Sequence, residues 1–438
     1  MFLKNAKFYL SQQRVSILLI SFLLIPLFSF SQFSFLNAEN KANEAFKSKE
    51  YFTALELYNS MSTKEKYIDS KYEIKVLKGL CYKAMGGIKN LKRAKLILNP
   101  NRNKRFKIDL LYLEYAHTLH LLSELDSALT YYQKSLLIDP NEDRAIMGIT
   151  SCEFALEQIN NPTDYKVNTF RHNSKFNDYA PSFGSSNYDV LFFTSSRDGS
   201  IGKRTDRFTG DSYTDLYSVK RDRKGKWTQP VPFPEPINTK GHEAETSVSN
   251  NGSRMYFTRK KVSNKNIRQP THEIYYTKKK GKGWTLPIKV NIYINNTFDM
   301  VSPFFYQNKL YFSSNMSGGY GGYDLWYIEL GENENSDPIN LGMKVNTSKN
   351  EFYPFFHSDG SFYFSSDGHL GMGGLDIFKL DFDDNNNIKS LINLGSPINS
   401  ASNDFGIIFE NINERGFLSS DRVGSKAVDI YHFSLPIE

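Results

Sequence analysis

Five acidic residues recur at matching places in the second half of this sequence, and they are the first candidates for chemistry. Each follows a turn-rich stretch and opens a short apolar segment, as in Asp324-Leu325-Trp326. Such carboxylates could bind calcium, or they could accept hydrogen bonds from backbone N–H groups where a strand begins. A single ligand site would not need five copies, so we expect a structural role for these turn acids. They are Asp215, Glu273, Asp324, Asp376 and Asp429.

A second group of carboxylates lies near the predicted starts of other strands. Two such groups facing one pocket could hydrolyse a glycosidic bond, because that reaction uses a pair of carboxylates. Similar positions recur in several repeats, however, which favours a ring that maintains the fold. The members of this group are Glu243, Glu245, Asp299, Glu351 and Asp404.

Other catalytic patterns are missing from the sequence. It contains no nucleophile elbow, phosphate-binding loop or paired-histidine zinc motif, and His242-Glu243 and His272-Glu273 each lack a second histidine. The segment Gly318 to Asp324 could cradle a phosphate, but glycine in tight turns accounts for it more simply. We therefore expect no catalytic residue, no metal and no cofactor, in a protein that is not an enzyme.

A strand-like motif repeats through the same half of the chain. Five similar segments occur, of which Leu310-Tyr311-Phe312-Ser313-Ser314 is the third. Their central residues are 64, 55, 52 and 54 positions apart. A fixed period of this length with all-strand content predicts one small sheet per repeat, arranged as the blades of a β-propeller. The central residues are Phe193, Phe257, Phe312, Phe364 and Leu418.

The last repeat lacks an outer strand, because the sequence stops soon after its third strand, Asp429 to Ser434. The segment Tyr165 to Phe170, which precedes the first repeat, has the pattern of such a strand. We expect the two segments to pair, which would close the ring and remove a free edge. Five blades result. A sixth blade hidden in the first repeat is the alternative.

The pattern between residues 38 and 161 is helical. Apolar residues recur there at three- and four-residue steps, and Ala54, Ala94 and Ala128 occupy corresponding places at steps of 40 and 34 residues. The stretch from Tyr115 to Asn141 closely resembles a tetratricopeptide repeat. We therefore expect a short α-helical tetratricopeptide solenoid in front of the propeller.

The first 31 residues resemble a signal peptide. An apolar run from Val15 to Phe28 follows basic residues, and Ser29-Phe30-Ser31 fits a cleavage site before Gln32. We expect a periplasmic protein with no integral membrane segment after cleavage; an uncleaved anchor is the alternative. Three of the +7 net charges lie in this segment, so the remaining excess is too small to indicate nucleic acid as a partner.

From residue 32 to 438 the sequence resembles tetratricopeptide repeats followed by a TolB-type, WD-like β-propeller. This arrangement forms the N-terminal half of OmpA-family envelope proteins associated with type IX secretion and gliding. The segments that carry the resemblance are Leu310–Ser314, Gly318–Leu325 and Gly371–Ile377. It divides the chain into a signal peptide (1–31), helical repeats (38–161) and a propeller (162–438). No OmpA-like domain follows, so peptidoglycan anchoring is not expected.

The resemblance implies a non-enzymatic scaffold or adaptor in the periplasm, peripherally associated with the outer membrane. Its helical repeats and propeller would bind envelope or outer-membrane proteins, through residues that the sequence does not identify. Two alternatives stay open: a peptidoglycan- or glycan-binding module, and a propeller glycosidase. A pair of carboxylates facing one axial pocket would favour the glycosidase.

Overall fold

The computed structural model describes most of the chain in ten segments. They are residues 29–62, 71–102, 108–201, 204–260, 271–281, 283–292, 298–331, 337–383, 388–410 and 414–436. Residues 1–28, which carry most of the predicted signal peptide, lie outside the described residues. Within the described segments, no helix combines the length and apolar character that a membrane crossing requires.

Seven α-helices in the described residues form the N-terminal region, and each packs against the next. The three alanines expected at helix contacts, Ala54, Ala94 and Ala128, are fully buried. A Cβ at Gly148 would lie 2.3 Å from the Tyr132 ring, so that glycine lets two helices approach closely. The helices are α1 (Ser29–Lys47), α2 (Tyr51–Ser62), α3 (Lys71–Met85), α4 (Gly87–Leu98), α5 (Ile108–Leu121), α6 (Leu125–Leu136) and α7 (Asp143–Asn160).

Five antiparallel sheets follow the helices, which confirms the propeller and its count of five blades. Blade 1 contains β2 (Asp178–Phe183), β3 (Val190–Ser195), β4 (Asp215–Lys220) and β5 (Val231–Pro232). Blade 2 contains β6 (His242–Val248), β7 (Arg254–Lys260), β8 (His272–Lys280), β9 (Gly283–Trp284) and β10 (Ile288–Lys289). Blade 3 contains β11 (Met300–Tyr306), β12 (Lys309–Ser314), β13 (Asp324–Glu329) and β14 (Ile339–Asn340).

Blade 4 contains β15 (Glu351–Phe356), β16 (Phe362–Ser366), β17 (Asp376–Phe382) and β18 (Ile388–Asn393). Blade 5 combines β19 (Asp404–Phe409), β20 (Arg415–Ser420) and β21 (Asp429–Ser434) with β1 (Lys166–Thr169), from the other end of the fold. The expected closure is therefore confirmed: Lys166 lies opposite Ser434, and Thr169 lies opposite Tyr431.

An asparagine secures this closure. The Asn173 side chain donates to the Ile430 carbonyl oxygen at 2.7 Å and accepts from the Ile430 N–H at 3.0 Å. Asn238, Asn346 and Asn399 make the same pair of bonds to Leu216, Leu325 and Ile377 in other blades. Each asparagine thus joins the start of one blade to the third strand of its neighbour.

The first strand of every blade faces the propeller axis and contains a bulge. The register shifts there in all five first strands. One residue at each bulge has a positive φ between 52° and 63°. We call these five residues the axial ring: Ala180, Glu245, Ser302, Tyr353 and Gly406.

The turn acids lie buried where each third strand begins. Asp324 accepts from the Tyr320 and Gly321 N–H groups at 2.7 and 3.0 Å. Asp215, Asp376 and Asp429 also accept from backbone N–H groups of the preceding turns. Glu273 instead binds the Lys289 ammonium group at 2.7 Å.

Close approach explains several glycines of the turns before β13 and β17. A Cβ at Gly373 would lie 1.9 Å from the Ala401 carbonyl oxygen, and one at Gly321 would lie 2.4 Å from the Thr347 carbonyl oxygen. Neither glycine has a positive φ, so lack of space excludes a side chain there, whereas the sequence had suggested backbone freedom.

We predict that Asn173→Ala destabilises the propeller by roughly 2–4 kcal/mol, because both backbone groups of buried Ile430 lose their partner. The measurement is the free energy of unfolding in urea. Asn168→Ala is the matched control, since Asn168 lies on the same closing segment with an exposed side chain. Equal effects of the two substitutions would contradict this account of the closure.

Candidate functional site

A large cleft lies between the helices and the face of the propeller on which the first strands begin. Its volume is about 2070 Å³. Residues such as Glu50 and Arg93 line it from the helical side, and Asp206, His242 and Asp299 line it from the propeller. We call it the helix–propeller cleft.

Direct contacts hold the helices on this face. Near α2, the Glu50 carboxylate pairs with Arg207 at 3.0 Å, and the Phe52 N–H donates to the Arg207 carbonyl oxygen at 3.1 Å. At the end of α5, His120 Nε2 lies 2.8 Å from the carbonyl oxygen of Met372. The Ser402 hydroxyl donates to the carbonyl oxygen of Leu121, the next residue. These contacts reach blades 1, 4 and 5.

A ring of capping side chains surrounds the floor of the cleft. The residue just before or at the start of each first strand accepts a hydrogen bond from the backbone N–H that precedes the turn acid of the neighbouring blade. The acceptor is asparagine in three blades: Asn177, Asn350 and Asn403 accept at 3.1, 3.2 and 3.0 Å.

Blades 2 and 3 replace this asparagine. His242 Nδ1 accepts from the Thr214 N–H at 3.1 Å, and Asp299 Oδ1 accepts from the His272 N–H at 2.7 Å. Both side chains accept the same backbone N–H bond that asparagine accepts in the other blades. The fold therefore does not require a residue other than asparagine at these two positions. Both also line the cleft. The capping residue thus differs from asparagine in two adjacent blades, and both replacements line an open cleft. We therefore take this part of the cleft floor as the candidate site.

The histidine of blade 2 belongs to a hydrogen-bonded chain. His242 Nδ1 accepts from Thr214, so Nε2 carries the proton and donates to Asp206 Oδ2 at 3.1 Å. Burial lowers the pKa of His242, which favours this neutral form. Burial would raise the pKa of Asp206, but the contacts from His242 and Lys260 outweigh it and hold that pKa below its ordinary value. Asp206 is therefore ionised at neutral pH.

The aspartate of blade 3 is the centre of a second cluster. Asp299 Oδ1 lies 3.0 Å from His272 Nδ1, and the Tyr323 hydroxyl donates to Asp299 Oδ2 at 2.7 Å. Burial acts to raise the pKa of Asp299, but hydrogen bonds from His272 and Tyr323 bring it down to about 2. Burial raises the pKa of Tyr323, so this hydroxyl stays protonated. Asp299 is thus an ionised carboxylate in the cleft; its lowered pKa makes it a weak proton acceptor at neutral pH but leaves it able to attack an electrophile.

Glu245, a member of the axial ring, lines the same cleft. Its Oε2 accepts from the Ser302 N–H at 2.6 Å and from the Thr258 hydroxyl at 2.9 Å. Burial and the nearby Glu245 carboxylate raise the pKa of Tyr353, whose side chain hydrogen-bonds to Glu245. Three donors therefore surround this carboxylate.

Asp211 is a further carboxyl group in the cleft, and its pKa is raised, whereas the pKa values of Asp206 and Asp299 are lowered. Asp211 accepts from the Asn177 amide at 2.7 Å. Burial, together with the charge of Asp206, raises the pKa of Asp211. The cleft thus combines carboxylates whose pKa values are lowered with a carboxyl group whose pKa is raised.

The structure separates the second group of predicted carboxylates into two sets. Glu243, Glu351 and Asp404 are fully buried and bind Thr239, Thr347 and Ser400 beside them. These three do maintain the fold, as expected. Glu245 and Asp299 also accept bonds from backbone N–H groups, but unlike the other three they line the cleft. Met300 occupies the ring position of blade 3, opposite Ser314, which leaves Asp299 one residue out of register.

Sequence reasoning missed Asp206, Asp211 and Tyr323. No motif surrounds Asp206 or Asp211, and Tyr323 lies in the glycine-rich segment Gly318–Leu325, which gave no sign of a contact with Asp299. The available signal was the difference between repeats at the positions of His242 and Asp299. The turn acids, by contrast, do not line the cleft. In the described residues, no group of three or more His, Cys, Asp or Glu side chains could hold a metal ion.

Solved structures are similar to part of this chain at low identity and low TM-score. Trypanosoma rangeli sialidase aligns at 9% identity and a TM-score of 0.37, covering 62% of this chain and 60% of its own. A protein described as a glycoside hydrolase aligns at 8% and 0.41, covering 62% and 90%. Bacteroides ovatus xyloglucan PUL GH43B aligns at 14% and 0.36, covering 61% and 54%. The chain thus spans less than two thirds of two of these proteins.

No family model matches the sequence, and no curated protein matches it. The tetratricopeptide, TolB-type and OmpA-family resemblances therefore remain predictions. The expectation that the chain is not an enzyme is corrected, because proteins with a fold of this kind are named as a glycoside hydrolase and a sialidase. These similarities concern the fold alone and assign no activity to the cleft.

We predict that Asp299→Asn lowers the free energy of unfolding less than Asp178→Asn does, because asparagine already caps the same backbone N–H in three blades. Asp178→Asn should cost roughly 3 kcal/mol, because it breaks the ion pair between the fully buried Asp178 and the partly buried Arg197. Thermal or urea unfolding of both variants checks this. A loss of stability in Asp299→Asn as large as that in Asp178→Asn would show that the fold itself needs the Asp299 carboxylate.

Proposed function

We propose that the helix–propeller cleft binds a glycan and hydrolyses a glycosidic bond. One observation carries this proposal: Asp299 departs from the asparagine of the capping ring, keeps its backbone bond, and adds an ionised carboxylate to an open cleft. Glu245 and Asp211 line that cleft too. Carboxyl groups facing one axial pocket are the arrangement that glycoside hydrolysis requires.

In this proposal Asp299 attacks the anomeric carbon as a nucleophile, and water then hydrolyses the glycosyl ester that forms. His272 and Tyr323 fix its orientation through their contacts to the two carboxylate oxygens. Asp211, whose pKa is raised, donates the proton that the departing sugar oxygen needs. Asp206 stays ionised beside it and helps Asp211 to hold that proton, because like charges nearby disfavour ionisation.

The test is hydrolysis of oligosaccharides and aryl glycosides by the purified protein, followed by release of reducing ends. Asp299→Asn should lower the rate roughly a hundredfold or more. Asp211→Asn should impair cleavage of natural glycosides strongly and aryl glycosides less, because a good leaving group needs little help from an acid.

Asp381→Asn is the control, because Asp381 pairs with Lys379 away from the cleft. It should leave the rates unchanged. The proposal fails if the wild-type protein cleaves no member of a broad glycoside panel, or if Asp299→Asn folds normally and keeps full activity.

We also propose that the protein is exported and meets envelope proteins through its helices. The supporting observation is a group of exposed apolar side chains at α6 and α7, with Leu137 84% exposed and Ile138, Ile146 and Met147 close in sequence. Crosslinking in cell envelopes should capture a protein through this group, and Leu137→Lys should reduce the yield. Recovery of the protein only from the cytoplasm would contradict export.

A further inference from the structure

A second cavity lies on the propeller axis beyond the axial ring. Its volume is about 300 Å³, and residues from the middle and end of every first strand line it. The helix–propeller cleft is lined instead by residues at the starts of these strands. Glu245 borders both spaces, and its bond to Tyr353, contributed by a different blade, lies between them. We call this space the axial cavity.

We propose that the axial cavity is a binding site for a single neutral sugar ring. Its volume lies at the lower end of the range for small-molecule pockets, which suits one ring rather than a chain. This site is distinct from the helix–propeller cleft, and its sugar binding does not depend on the glycosidase activity proposed for that cleft.

The first support is an unsatisfied polar atom. Ser302 is only 3% exposed, it lines the cavity, and its hydroxyl has no hydrogen-bond partner within the described structure. A buried hydroxyl without a partner costs free energy, so a polar group of a ligand would gain by reaching it. The Ser182 and Thr246 hydroxyls lie on the same wall, 2.5 Å apart.

The second support is the aromatic wall. Tyr306 stacks on Phe356 with ring centroids 4.4 Å apart and an interplanar angle of 3°, and Phe304 meets Phe355 edge-on at 5.3 Å. All four rings are only half-buried although they lie together at the cavity. Flat apolar faces beside hydroxyl groups suit a sugar, which has apolar C–H faces and a polar rim.

The third support is charge. Among the described residues that line the cavity, none is lysine or arginine, and Glu245 is the one carboxylate. That carboxylate already accepts from Ser302, Thr258 and Tyr353. Neither an anion nor a cation would therefore find an unused countercharge, which leaves a neutral ligand.

The fourth support is that the residue type at the axial ring differs from blade to blade. Its five members occupy equivalent bulges with nearly the same φ, yet each is a different residue type: Ala180, Glu245, Ser302, Tyr353 and Gly406. Neighbouring positions on the second strands keep one character, with a hydroxyl in every blade at Thr194, Thr258, Ser313, Ser365 and Ser419. Five different side chains make an asymmetric surface, as recognition of an asymmetric ring requires.

The test is saturation-transfer NMR on the full chain with glucose, galactose, mannose and N-acetylglucosamine, each titrated to tens of millimolar. At least one sugar should bind. Ser302→Ala should weaken that sugar roughly fivefold, the effect of one lost hydrogen bond. The variant should fold, because Ala180 occupies the equivalent bulge with φ 52°. Tyr306→Leu should weaken binding as well.

Ser313→Ala is the matched control. The Ser313 hydroxyl is equally buried and unpartnered but does not line the cavity, so this variant should bind like the wild type. The proposal is overturned if no sugar binds, or if Ser302→Ala and Tyr306→Leu bind normally. It is also overturned if only Asp299→Asn weakens binding, since the sugar would then occupy the cleft.

Discussion

The antiparallel pairing of β1 with β21 is the interaction on which the rest of the structure depends. It joins the strand that follows the helices to the last strand of the fold, and Asn173 fixes it through both backbone groups of Ile430. With the ring closed, each first strand lies between two others, β19 beside β2 included. Only in the closed ring do the five first strands surround one axis. The axial ring, the cleft floor and the axial cavity all depend on that arrangement.

One structural requirement is met by different chemistry around this ring. Each blade must supply an acceptor for a backbone N–H of its neighbour, and asparagine, histidine and aspartate all provide one. The backbone bond is therefore compatible with a neutral amide, a neutral imidazole or a carboxylate. The fold leaves these side chains free to differ, and His242 and Asp299 use that freedom at the cleft.

Much of the fold could be predicted because it repeats. The period of the aromatic strands gave the blades, and the missing outer strand of the last repeat led to the closing segment Tyr165 to Phe170. The site could not be separated from the scaffold in the same way. Glu243 and Glu245 are two residues apart, but Glu245 is the bulged residue of β6, and of the two only Glu245 lines the cleft. In the sequence, Asp299 resembles the buried acids Glu351 and Asp404. The sequence does not show that Met300, and not Asp299, occupies the equivalent position of β11.

The axial cavity and the turn that carries Asp206 and Asp211 could not be predicted from the sequence, for a related reason. Positive φ at Ser302 and Tyr353 is a property of the bulge, and neither residue type indicates it. Asp206 and Asp211 lie in a turn that carries no motif, and their pKa values depend on burial under the helices and on residues distant in sequence.

The way the helices are attached has a mechanical consequence. They contact blades 1, 4 and 5, and the closing strand β1 begins six residues after α7 ends at Asn160. The helices therefore span the seam where the two ends of the propeller meet. A partner that pulls on them would load the β1–β21 ladder along its length, in shear, so its hydrogen bonds would resist together rather than one by one. The same attachment leaves blades 2 and 3, which carry His242 and Asp299, outside the path of that force.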